Sequence, residues 1–150
     1  MKRIIFFGMV VLGIFLISSC AKETKENVSD YTAFLRLLSE SGFQYIEVEA
    51  DTPGFLAVER KPIIIENDII INIYEYNTAE EMEKDAVYIN KNGHEINFPD
   101  RIVYLEWASI PHFYKKGTLI INYVGENELM LNFLTKNFGV EFAGYGYIGE

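Results

Sequence analysis

The sequence predicts an α+β domain, an antiparallel sheet with three helices packed on it in the order α-β-β-β-α-β-β-α. Three observations carry this reading. Apolar residues recur at helical spacing in three places, each closed by a glycine. Between them lie short β-branched runs separated by turn residues. Hairpins followed by helices then leave an antiparallel sheet with helices laid on it as the simplest arrangement.

Tyr31, Phe34, Leu35 and Leu38 fall at i, i+3, i+4 and i+7, one stripe of a first helix. Ser29 or Asp30 is its N-cap and Gly42 its stop. "FQYIEVEA" then alternates as a half-buried strand, and Pro53-Gly54 marks a turn into "FLAVER". "PIIIENDIIINIYEY" holds two β-branched runs around Glu66-Asn67-Asp68, a hairpin whose second arm is apolar on both faces, as in a central strand. Thr78-Ala79-Glu80-Glu81 is a capping box opening a second helix toward Asn92-Gly93, with Ala79, Met82, Ala86 and Ile89 inward. "RIVYLEW" and "HFYKKGTLIINYV" supply further strands, the latter turning at Lys115-Lys116-Gly117. A third helix from about Glu126 to Phe138 presents Met130, Phe133, Leu134 and Phe138 before Gly139. "IIINIYEY" and "LIINYVGE" each lead into a helix, an internal echo that suggests a duplicated ββα unit.

The amino end has its own logic. Lys2 and Arg3 precede an apolar run from Ile4 to Ile17, which closes on Ser18, Ser19 and Cys20, the one cysteine of the chain. A charged start, a short apolar middle and a small-residue end make a secretory signal peptide. The run is too short for a spanning helix, which needs about 20 apolar residues. Ile17-Ser18-Ser19-Cys20 resembles the bacterial lipobox, and that resemblance implies an acylated Cys20 as the mature N-terminus. It also accounts for a thiol with no disulfide partner. The expected division is 1–19 signal peptide, 20–29 lipidated cysteine and polar tether, and 30–150 a single domain. The expected address is the cell membrane or outer membrane, lipid-anchored, with the domain outside the cytoplasm.

Loss of Lys2 and Arg3 with the leader leaves 11 basic residues against 22 acidic ones, a net charge of −11. Such a balance repels phosphate backbones, so no nucleic acid is expected as a partner. Glu66, Asp68, Glu75, Glu80, Glu81, Glu83 and Asp85 are read as solvated surface, with binding of a cation, or of a basic partner by an interaction or inhibitory protein, as the alternative.

Chemistry-bearing motifs are sparse. Gly144-Tyr145-Gly146-Tyr147-Ile148-Gly149 spells GxGxxG, but a dinucleotide site needs a helix after it, and the stretch is read as a glycine-rich tail. Only His94 and His112 are available for imidazole chemistry. Were they to converge with Glu95 and Asp100, they could hold zinc or calcium or serve a hydrolase. That is the runner-up to a non-catalytic reading in which no catalytic residue, metal or cofactor is expected. The richest stretch is "YLEWASIPHFYKKG", where Trp107, His112 and Tyr114 form the candidate binding patch. Strand alternation puts His112 and Tyr114 on one face and Phe113 on the other.

"FLAV", "IYEY", "NKNG", Trp107, "PHFYKKGTLIINYVG" and "VEFAG" together resemble a family of uncharacterised bacterial lipoproteins across most of residues 55–144. The resemblance implies lipoprotein identity and a shared fold, and transfers no catalytic residue. "IIIENDIII" departs from it, a glycine being expected in that turn. The function expected is a lipid-anchored envelope module binding an unspecified protein or small molecule.

Overall fold

A computed structural model describes residues 28–66 and 68–144. The leader, Cys20, most of the tether, Asn67 and the tail from 145 to 150 lie outside the described residues.

The α+β architecture is as predicted. Helix α1 (Tyr31–Glu40) precedes β1 (Tyr45–Glu47), β2 (Arg60–Ile65) and β3 (Ile69–Glu75). Then come α2 (Ala79–Ala86), β4 (Glu95–Asn97), β5 (Ile102–Tyr104), β6 (Pro111–Lys116), β7 (Leu119–Val124), α3 (Glu128–Phe138) and β8 (Ala143–Gly144). Six strands form one antiparallel sheet in the order β1-β2-β3-β7-β6-β8, and β4 pairs with β5 as a separate ribbon. The doubly apolar strand β3 is central, as its composition requires.

Each face of the sheet carries a core. On one face α1 and α3 lay Phe34, Leu38, Met130, Leu134 and Phe138 against Ile63, Ile71, Ile73 and Ile121. On the other, α2, the segment 55–58 and the β4–β5 ribbon surround Tyr74, Phe113 and Ile120. The helix ends follow side-chain chemistry. Asp30 accepts from the Ala33 amide at 2.9 Å, Thr78 from Glu81 at 3.1 Å and Asn127 from Met130 at 3.1 Å.

Several boundaries differ from expectation. The fold begins before Asp30: Val28 is 1% exposed in the first core, and the Ser29 carbonyl accepts from the Thr118 amide at 2.9 Å. That contact explains Gly117, which has φ +60° at the β6–β7 turn and leaves only 2.2 Å between a Cβ there and the Ser29 oxygen. "FLAVER" is not a strand. Phe55, Leu56 and Val58 tuck into the second core, and pairing starts at Arg60. Helix α2 stops at Ala86, and Ile89 forms a bridge to Ile96 instead of continuing the stripe. Asp85, expected in solvent, is buried. Its carboxylate accepts from the Tyr76 hydroxyl at 2.6 Å and the Ala57 amide at 2.9 Å, fastening 55–58 to the helix.

The internal echo is realised only in the strands. Asn72 and Asn122 sit opposite one another where β3 meets β7. The helices that follow go to opposite faces, α2 to the second core and α3 to the first. Two-fold related ββα units would put both on one face.

Candidate functional site

The expected patch of Trp107, His112 and Tyr114 does not assemble on a surface. His112 and Tyr114 share a face, as alternation requires, but α3 covers that face. Tyr114 is 2% exposed, its ring lies 6.5 Å edge-on from Phe138, and its hydroxyl is 3.3 Å from Thr135 Oγ1. Burial, the largest influence, raises its phenol above the ordinary range. Trp107 belongs to the opposite core, where its ring meets Phe55 and Phe113 and its indole N–H donates to the Gly93 carbonyl at 2.8 Å. Phe113 is wholly buried there, as expected.

His112 is 5% exposed and held from both sides. Its Nδ1 lies 2.7 Å from a Glu141 carboxylate oxygen, its Nε2 lies 3.1 Å from the Gly125 carbonyl, and its ring stacks on Tyr123 at 5.9 Å. Both ring nitrogens therefore have a hydrogen-bond partner inside the fold. The arrangement ties β6 to the segment before β8 and to the turn after β7. It acts as a structural clamp.

His94 stands elsewhere, exposed in the turn before β4, where its amide donates to the Asn92 side chain at 2.9 Å. Among the described residues no three His, Cys, Asp or Glu side chains group so as to hold a metal ion. The composite site of His94, Glu95, Asp100 and His112 is therefore not assembled.

Strand β1 forms one edge of the six-stranded sheet. Its inner edge is paired: the Glu66 amide donates to the Gln44 carbonyl at 3.0 Å and the Val48 amide to the Pro62 carbonyl at 3.2 Å. Because hydrogen-bonded positions alternate in an antiparallel ladder, Gln44, Ile46 and Val48 face β2, while Tyr45 and Glu47 point their N–H and C=O groups outward. No strand of the described residues pairs with that outer edge. Pro62 has no N–H to return to Val48, which is why the ladder fades there.

Two concavities flank this strand. One of about 300 Å³ is lined by Gln44, Tyr45, Ile46, Ile64 and Glu66. The other, about 560 Å³, lies at the far end, among Tyr31, Glu47, Glu49, Glu59, Arg60 and Lys61. In the larger cleft the Tyr31 hydroxyl donates to Glu47 at 2.7 Å, and Lys61 donates to Glu75 at 2.6 Å. Burial first, and then the bond to the Glu47 carboxylate, push the Tyr31 phenol well above its usual range. Arg60 reaches Asp51 at 2.7 Å, which holds the Asp51 carboxyl below the usual carboxylate value.

Sequence reasoning read 43–50 as a strand and passed over it as a surface. The signal was present in its phasing. Phe43 and Tyr45 are apolar on one face, whereas Ile46 and Val48 are apolar on the other. A strand that changes its apolar face midway leaves one set uncovered. No family model, curated protein or solved structure matches the chain.

Proposed function

We propose that this chain is a lipoprotein of the bacterial cell envelope, acylated at Cys20, whose domain outside the cytoplasm binds a partner without catalysis along the open edge of β1. The carrying observation is that edge: outward backbone groups at Tyr45 and Glu47 with a cleft at either end, in a domain where His112, Trp107 and Tyr114 are taken up by packing. Edges of this kind recognise extended segments, the backbone supplying affinity and the alternate side chains specificity. The charged leader, the lipobox-like quartet and the polar stretch after Cys20 support the anchor, and the resemblance through 111–125 points the same way. One acyl chain holds only marginally, while two or more hold durably, so a multiply acylated Cys20 suffices to keep the domain on a membrane.

Metabolic labelling with palmitate and fractionation of Cys20→Ala test the anchor. The wild type should carry label and sediment with membranes, and the variant should be unlabelled and either unprocessed or soluble. A variant still on membranes, with no lipid mass on the wild type, would remove the anchor from the reading. For the edge, amide spectra of the full chain in detergent titrated with extended peptides of mixed composition should move residues 44–49 first. Shifts confined to other regions would sink it.

A further inference from the structure

We infer that the partner segment received by β1 is a strand in which apolar residues alternate with lysine or arginine. This rests on the edge-binding reading above and adds the chemistry of the partner. Side chains of an added strand point alternately to the two faces of the sheet, so each face of β1 selects every second residue.

One face is apolar and uncovered. Ile46 is 58% exposed and Ile70 53%, with Ile64 between them in register, Ile46 opposite Ile64 and Ile64 opposite Ile70. None of the three belongs to the second core, so they lie side by side across β1, β2 and β3 with the outer two more than half exposed. An added strand with an apolar residue beside Ile46 extends the row and covers it.

The other face and the adjoining cleft are acidic. Glu47, Glu49 and Glu59 line the larger concavity, and among the described residues none of the three has a cationic partner. The two cations in that cleft are already neutralised, Arg60 by Asp51 and Lys61 by Glu75. Glu66 adds a further exposed carboxylate at the other end of β1, where its side chain accepts from the Gln44 amide at 3.0 Å. A cationic side chain entering beside Glu47 therefore meets unneutralised acid, although the Lys61 ammonium already occupies the face of the Tyr31 ring at 4.7 Å.

A second copy of the chain is the wrong occupant. Two β1 edges paired about a two-fold axis would bring Glu47, Glu49 and their symmetry mates to one rim, in a chain of net charge −9. The polar segment "AKETKENV" is equally unsuited, since it offers no apolar alternation for Ile46.

The test titrates the full chain in detergent micelles with a fluorescent Lys-Val-Lys-Val-Lys-Val-Lys peptide, followed by anisotropy. Three comparison peptides accompany it: one with glutamate for lysine, one with the lysines and valines in separate blocks, and one N-methylated at alternate backbone nitrogens. Glu47→Pro removes an outward N–H without touching the inward ladder bonds, Ile46→Ser removes the apolar contact, and Glu49→Gln removes charge; each is checked by its melting curve. The alternating basic peptide should bind at least tenfold more tightly than all three comparisons. Its affinity should fall with salt and drop severalfold or more in each variant that melts like the wild type. Equal binding of the glutamate or block peptide overturns the partner chemistry and leaves the edge reading standing. Indifference to N-methylation together with indifference to Ile46→Ser overturns both, and so does concentration-dependent dimerisation abolished by Glu47→Pro. The N-methylated peptide acts on the unaltered protein, so the result stands even where a variant fails to fold.

Discussion

A buried imidazole between two acceptors is the most constrained side chain in this domain. His112 lies within hydrogen-bond distance of the Glu141 carboxyl group and of the Gly125 carbonyl while its ring lies on Tyr123. Removing one member of a buried hydrogen-bonded pair leaves the other unsatisfied, at a cost of about 1–3 kcal/mol. His112→Ala and Glu141→Ala should each destabilise strongly. The double variant should lose less than the sum, with a coupling of roughly 0.5–3 kcal/mol in chemical denaturation. Additive losses would show that the pair does not act as a unit. Tyr114→Ala belongs with them, since a tyrosine packed on Phe138 leaves a cavity costing about 3–5 kcal/mol, as does Phe113→Ala on the opposite face. The alternation of residues 112–114 was legible because period two is local. Which faces would be covered was not, because α3 arrives from the far end of the chain and Trp107 and Phe55 meet only through the fold.

Helices were the most readable elements, because a stripe and a cap are both local signals. The inward set of α3, Met130, Phe133, Leu134 and Phe138, is buried as read, and Gly139 ends the helix with φ 94°. Within α1 the stripe proves unequal: Phe34 and Leu38 are wholly buried, while Tyr31 and Leu35 lie at its margin. Phe34→Ala should therefore cost about 3–5 kcal/mol and Leu35→Ala clearly less, since partial burial forfeits only part of the transfer energy. Melting curves in the reverse order would mean that α1 is rotated from the orientation described. The less legible elements are those whose state depends on distant partners. "FLAVER" has strand composition, yet Asp85 from α2 accepts the Ala57 amide and pulls the segment off the sheet. Helix α2 has good stripe residues as far as Ile89, but Ile96 claims that position through the β4–β5 ribbon. Propensity is a weak prior against such tertiary competition.

At the scale of the whole molecule, both sheet faces carry packed layers, and tyrosines sit deep in each. Tyr74 and Tyr76 lie in the second core, Tyr114 in the first, and Tyr31 at the first core's edge beside Glu47. Burial is the leading cause that raises all four phenols, and for Tyr76 the Asp85 carboxylate beside it adds to the effect. An unfolded tyrosine releases its proton near pH 10. Above that pH the unfolded chain holds fewer protons than the folded one, so stability falls as pH rises; below it the phenols are neutral in both states and the contribution is complete. The melting temperature should stay nearly level across pH 8–9.5 and drop steeply beyond about pH 10, with part of the tyrosinate absorbance appearing only together with loss of the helical signal. Tyr31 is the least buried of the four and contributes least, because solvent screens it. Tyr74→Phe separates the effect from general alkaline damage. The buried Tyr74 hydroxyl makes no hydrogen bond of ordinary geometry, its nearest backbone partner being at Phe55, so its removal should change neutral-pH stability little while flattening the alkaline fall. Complete titration of all ten tyrosines near pH 10 in a still-folded chain would place these phenols in solvent and undo the two-core arrangement.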